Sequence, residues 1–343
     1  MDQFDLPEVR AGPGDARPTG LQILQDENRF DGSLNDKVVV VTGCSAGLGI
    51  PTVEALVAAG ATVYGGARAA SMHRAKEALA SILNDPETRD RLHLLDVDLT
   101  SLASVKTFAE EIKRREQKVN ILINNAGVMA VPTREVTQDG FELQLGTNHL
   151  AHFYLFQCLK SLLLAGAEGS PDFASRVVNV SSSGHRASTV RFDDINLEGD
   201  GSYNPYVAYG NSKTANIWMA NHIERLYAGK GVHGYSLMPG GIFTGLQKHV
   251  QEQMEAAKQD RASMNFTKSP DQGCATTIWA ATARELEGKG GVYCEDCAVA
   301  GPVPVDPPNP ALALGYAGWA FDQEGEERLW KVSLEMVGLK EDE

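Results

Sequence analysis

Tyr209 and Lys213, in Tyr209-Gly210-Asn211-Ser212-Lys213, stand four residues apart and share one face of any helix that carries them. A phenol titrates near about 10, too high for efficient proton transfer at neutral pH. A neighbouring ammonium favours the phenolate and brings that value down. The pair suits general acid–base work on an oxygen, as when a carbonyl and an alcohol interconvert. That reaction also needs a hydride carrier and donors for the developing alkoxide. Hydroxyls are at hand in Val178-Asn179-Val180-Ser181-Ser182-Ser183. A Y-x-x-x-K spacing recurs by chance in many chains, so its force depends on where the fold puts it.

A site for the hydride carrier comes much earlier in the chain. Val38–Val41 is an unbroken β-branched run, as in a strand buried on both faces of a parallel sheet. It enters Thr42-Gly43-Cys44-Ser45-Ala46-Gly47-Leu48-Gly49, and a helix starts at once with Pro51 in its first turn. Glycines allow a tight turn and close backbone approach, and the helix N-terminus offers free N–H groups to a pyrophosphate. The expected contacts are Gly43, Ser45, Gly47, Leu48 and Gly49. About 20 residues on, an acid would hold a ribose 2′-hydroxyl and an arginine a 2′-phosphate. Here Ala67 takes the acidic position and Arg68 follows it, which points to NADP(H).

The elements that must hold these residues alternate regularly. Strands are predicted at 61–64, 92–97, 119–123, 176–180 and 232–237. Helices are predicted at 71–83, 101–115, 141–164 and 206–227. That order implies right-handed crossovers and one doubly wound, Rossmann-type α/β domain, a parallel sheet flanked by helices, over 35–300. Residues 1–34 are rich in Gly, Pro and Asp and read as a polar, partly disordered arm. Residues 301–343 form a C-terminal extension that opens with GPVPVDPPNP, barred from helix or central strand, and then offers a helix at 324–337.

The T-G-x-x-x-G-x-G spelling and the motifs after it make the chain resemble the short-chain dehydrogenase/reductase family over about 37–297. Its retinol-dehydrogenase-like and protochlorophyllide-reductase-like members are the most similar. The resemblance implies that Asp98 and Leu99 contact the adenine. Asn125, Ala126 and Gly127 follow in the N-N-A-G signature, and Asn148, in T-N-H-L-A-H-F, is the catalytic asparagine holding a water that leads to Lys213. It selects Ser182 as the serine that bonds the substrate oxygen, beside Tyr209 and Lys213, with Lys213 also on the nicotinamide ribose. Pro239 and Gly240 shape the carboxamide pocket, and Ile242 and Thr244 meet the cofactor. Two departures stand out. Ser45 and Ala46 supply no second base inside the glycine loop, and Met238 replaces the histidine usual before the P-G.

The remaining features narrow the function. With a net charge of −14 and a pI near 5.1, the chain is a poor partner for nucleic acid or anionic membrane. Five cysteines make no disulfide framework, and Cys294 and Cys297 lack a second pair for zinc. His149 and His152 have no further ligand at metal spacing, so no metal is expected. The start MDQFDLPEVR is no secretory signal, and no uncharged run approaches the about 20 residues of a membrane helix, so a cytoplasmic protein is expected. Many retinol-dehydrogenase-like members carry an anchor, and its lack here argues against retinoids themselves.

Phe243–Thr267 reads as a charged, helix-prone lid. Val128–Ala130, Gly184–Arg186 and Asn204–Tyr206 would complete a pocket for a hydrophobic or aromatic carbonyl compound or alcohol. Family members often pair through the helices before and at the Tyr-Lys segment, so a homo-oligomer is an expectation. The alternative function is a catalytically weak NADP(H)-binding regulatory or scaffold protein of the same fold.

Overall fold

A computed structural model describes residues 10–340, apart from 171, 308 and 311. The first nine residues of the expected arm and the last three of the extension lie outside the described residues.

The strands are β1 (Val38–Thr42), β2 (Thr62–Ala67), β3 (Leu92–Asp96), β4 (Ile121–Asn124), β5 (Ser175–Val180), β6 (Val232–Met238), β7 (Val292–Glu295) and β8 (Ala298–Val299). They form one sheet in the order β3-β2-β1-β4-β5-β6-β7-β8. All pairs are parallel except β7 with β8, a short hairpin at one edge. Each residue of β1, β4, β5 and β6 is buried, as the apolar runs require. The order reverses direction between β1 and β4, where Val39 faces Val63 on one side and Ile121 on the other. A doubly wound sheet opens a crevice at that switch point, beyond the carboxyl ends of its strands.

The helices are α1 (Gly20–Asp26), α2 (Gly49–Ala58), α3 (Met72–Ala78), α4 (Ala80–Asn84), α5 (Leu102–Arg115), α6 (Leu143–Leu145) and α7 (Ala151–Glu168). They continue with α8 (Pro205–Tyr227), α9 (Gln251–Gln259), α10 (Arg261–Phe266), α11 (Pro270–Gly273), α12 (Ala275–Thr282) and α13 (Gln323–Met336). The helix predicted at 71–83 breaks at Leu79, whose ψ of 20° leaves helical geometry. The one predicted at 141–164 contains a π-turn at Gly146–Leu150 between α6 and α7. By length and composition the helix across 143–168 is apolar enough to span a membrane, contrary to the expectation that no such run exists. Half of it is buried inside the protein, and its Phe153, Leu155, Phe156 and Leu159 belong to the core.

The described part of the expected arm is folded. Thr19 caps α1 by accepting from the Gln22 N–H, and Ile23 and Leu24 are buried. Gly20 lets α1 press on α12, since a Cβ there would lie 2.6 Å from the Cys274 sulfur. A seven-residue helix with three apolar side chains is too short to show a period, which is why it reads as coil.

The extension is equally integral. Leu329, Trp330 and Leu334 of α13 are buried, with Trp330 edge-on to Phe153 of α7 at 4.9 Å. The preceding segment clasps α8: Trp218 donates to the Trp319 carbonyl at 2.8 Å, and Asn221 to Ala320 at 2.9 Å. As a result α8 is buried on all sides from Ala208 to Ile223. The C-terminal helix α13 thus packs on α7 and α8, the helices expected to pair two chains.

Candidate active site

The turn after β1 closes only with glycine. Gly43 has φ of +81°, and a Cβ there would sit 3.0 Å from Ala126. A Cβ at Gly49 would lie 2.2 Å from the Gly43 carbonyl oxygen. Thr42 fastens this turn to the loop after β4: its hydroxyl accepts from the N–H groups of Asn125 (3.0 Å) and Ala126 (3.1 Å), and its carbonyl from the Asn125 amide (2.8 Å). With two donors on its oxygen, Thr42 must donate its own proton to Nε2 of His152, 2.9 Å away. The Nδ1–H of His152 then donates to the Asn148 carbonyl at 2.9 Å. Burial pulls His152 down to about 4, so it stays neutral. Glycine turn, N-N-A-G loop and π-turn are thereby one hydrogen-bonded unit.

Asn148 sits in the π-turn, a local widening often found at functional sites. Its Oδ1 accepts from the Val128 N–H (2.8 Å), and its Nδ2 donates to the Val128 carbonyl and the Ser212 hydroxyl, both at 2.9 Å. The side chain expected to hold a water toward Lys213 binds Val128 on both its backbone groups, and so holds Gly127–Val128 in place. Its Oδ1 and the Lys213 ammonium nitrogen lie 3.1 and 3.6 Å from where a Cβ on Gly127 would be.

Tyr209 and Lys213 reach the crevice from α8, whose N-terminus is capped by Asn204 accepting from Tyr206 and Val207. Lys213 donates to the Val180 carbonyl at 2.9 Å and lies 5.6 Å from the Tyr209 ring centre. Ser181 ties β5 to α8 by donating to the Lys213 carbonyl at 2.8 Å. Ser182 contacts the Tyr209 phenol, and its hydroxyl accepts from the Gly184 N–H at 3.0 Å. Burial pushes the Tyr209 phenol up to about 12, with the Ser182 hydrogen bond working against it. Burial also pulls Lys213 down to about 7. The spacing argument gives the opposite sign for the phenol, because it counts the ammonium and leaves out the loss of water around both groups. The pair as folded is a protonated phenol beside a readily deprotonated amine.

These residues line one cavity of about 560 Å³ that runs from Arg68 to Lys248. Gly43, Ser45, Gly47, Leu48, Arg68, Asp98, Leu99, Asn125, Ala126, Gly127, Ser182, Tyr209, Lys213, Pro239, Gly240, Ile242 and Thr244 all face it. Gly49 and Asn148 do not; they act through the loops they close. Of the expected substrate wall only Val128 and Met129 line the cavity. His185 instead turns to the extension, accepting from the Ala317 N–H at 3.0 Å. The segment expected as a lid, 243–267, carries α9 and α10, and Gly245–Lys248 ahead of them face the cavity.

A dinucleotide fits this cradle: glycine backbone under a pyrophosphate, Arg68 at one end and Tyr209 with Lys213 at the other. The sequence model described as short chain dehydrogenase matches residues 37–193. The chain is 50% identical over 331 residues to short-chain dehydrogenase/reductase prx1 of Penicillium roqueforti, covering 96% of this chain and 93% of that one. It belongs to the short-chain dehydrogenase/reductase family. Retinol dehydrogenase 14 of Mus musculus is 34% identical over 318 residues, covering 90% of this chain and 88% of that one, which places the chain in the retinol-dehydrogenase-like branch. Among solved structures, an uncharacterised protein from Mycobacterium paratuberculosis superposes with a TM-score of 0.65 at 27% identity, covering 90% of this chain and 95% of that one.

Sequence reasoning passed over two contributors to this reductase-family site. Arg74 on α3 faces the cavity with Arg68, and both side chains are exposed. A helix one turn past the second strand carries it back over the crevice, a signal visible only once α3 is placed. His152 reads as structural by sequence and is so, but at the junction of three cofactor-facing loops.

Proposed function

We propose that this chain is an NADP(H)-dependent oxidoreductase interconverting a carbonyl and an alcohol on a hydrophobic or aromatic small molecule. What carries the reading is that Ser182, Tyr209 and Lys213 meet at one end of a single cavity whose other end holds the glycine turn and two arginines. The nicotinamide, when bound, supplies or takes the hydride. Gly43, Ser45, Gly47 and Leu48 would offer backbone N–H groups to its pyrophosphate. Arg68 and Arg74 would hold a 2′-phosphate, and the acid that would repel it is missing at Ala67. Ser182 bonds the substrate oxygen, and the protonated Tyr209 phenol gives that oxygen its proton during reduction. Lys213, near neutrality, receives and replaces the proton at Tyr209. Val128, Met129, Met238 and Leu246 give the cavity an apolar wall, and a relative named for retinol supports an apolar alcohol or aldehyde.

The test is NADPH oxidation against a panel of ketones, aldehydes and quinones, with Tyr209→Phe beside the intact protein. Turnover abolished in the variant supports the reading. NADPH binding with no turnover of any compound would favour a binding protein of the same fold.

A further inference from the structure

Behind the Pro239-Gly240 turn lies a cluster of buried charges that the proposed chemistry does not use. Arg17 and Asp15 are paired, with side chains only 3% and 4% exposed. The guanidinium donates to the carbonyls of Asn265 (3.2 Å), Phe266 (2.8 Å) and Thr267 (2.6 Å), satisfying the C-terminus of α10. Gln272 fixes the pair from the other side, donating to the Asp15 and Arg17 carbonyls at 3.0 Å and accepting from the Gly14 N–H at 2.9 Å. The root of the lid is therefore held by residues 12–17.

The contacts continue without a gap to the cavity. Thr267 bridges to Gly241, and the Lys268 N–H donates to the Gly241 carbonyl at 2.8 Å. The Lys268 ammonium reaches the Pro239 carbonyl at 3.3 Å and pairs with Asp296, which Arg10 also holds at 2.9 Å. Its stem crosses Gly240, where φ is +113° and a Cβ would lie 2.9 Å from the Lys268 Cδ. Pro239, Gly240 and Gly241 line the cavity. Buried ion pairs add little net stability compared with apolar packing of the same volume, so what this cluster contributes is position.

We propose that Lys268 is a positioning residue for the end of the cavity that takes the nicotinamide, and that residues 10–17 are a working part of that end. The proposal rests on the cofactor assignment above. Arg17 and Asp15 hold the lid root, the lid root holds Lys268, and Lys268 with Asp296 fixes the height of the Pro239–Gly241 turn.

The experiment compares two probes on the full chain: NADPH, and 2′-phospho-ADP-ribose, which lacks the nicotinamide. The variants are Lys268→Met, which keeps length and stem, and Arg17→Ala. Each is expected to weaken NADPH about tenfold while 2′-phospho-ADP-ribose stays within about twofold, the scale of losing a charged hydrogen bond at one end only. KM for NADPH should rise more than kcat falls. Equal weakening of both probes, or of neither, overturns the proposal. If Arg17→Ala does not fold, Lys268→Met alone decides by the same criterion. An intact protein that binds neither probe overturns the cofactor assignment, and the proposal with it.

Discussion

The two ends of the cavity solve different problems with opposite means. At the end proposed for the adenosine, Arg68 and Arg74 stand exposed in water. At the reacting end Tyr209 and Lys213 are buried, and burial displaces both titrations, to about 12 and about 7. A solvated charge can choose between ligands that differ by a phosphate. A proton donor has to be moved along the pH scale, and removal of water is the strongest lever a fold has for that. In the proposed function, recognition is left wet and chemistry is kept dry.

The comparison breaks first at Tyr209. Tyr209→Phe should lower kcat by about 10²–10⁴-fold, the range for a positioned proton donor, with the Kd for NADPH unchanged in a binding titration. A loss of binding on the same scale would mean that the dry end also does the recognising. The wet end is sharpened by Arg68→Ala combined with Arg74→Ala. That protein should lose about 10- to 100-fold in kcat/KM with NADPH and little with NADH, the worth of one or two charge-assisted contacts. An intact protein that prefers NADH would remove the assignment of both arginines.

A pH test reads the dry end directly. Lys213 has a folded value near 7 against an ordinary 10.5, so between those values the unfolded chain binds the extra proton. Its contribution to stability therefore rises with pH over that window. Tyr209 moves the other way and acts only above pH 10, so the two windows do not overlap. Relative to Lys213→Met, the intact protein should gain in Tm between pH 7 and 9.5, and a flat difference would contradict a dry lysine. A second pH window lies in acid. Burial holds His149 near 3 and His152, His185 and His222 near 4, so the unfolded chain takes up more protons as pH falls below 6.5. Denaturation midpoints should decline steadily from pH 6.5 toward 4, and replacing His152 with Asn should shallow that decline.

Much of this was legible in the residues. The valine run, the glycine turn and the strand–helix alternation are local patterns, and local patterns fix both the fold class and the switch point where ligands bind. Tyr209 and Lys213 share one helix and three serines one strand end, and the family resemblance singles out Ser182 among them. What escaped depends on contacts far apart in sequence. Arg17 meets Phe266 across 249 residues, and Asp15 meets Gln272 across 257, so nothing in residues 10–17 alone distinguishes a clamp from a tail. The π-turn under Asn148 needs partners that no 3.6-residue period reveals. The direction of the Tyr209 shift was missed because spacing locates a charge and is silent about water.

The enclosure of α8 bears on the order in which this protein can be completed. Trp319, Ala320 and Glu326, which hold Trp218 and Asn221 of that helix, lie within the last 25 residues of the chain. A ribosome delivers them after the whole sheet and every residue that lines the cavity, and domains settle as units once their sequence has emerged. The helix bearing Tyr209 and Lys213 thus waits with an uncovered flank until residues 319–326 have emerged. A stop codon at residue 319 would spare every residue that lines the cavity and still leave that flank of the helix bare.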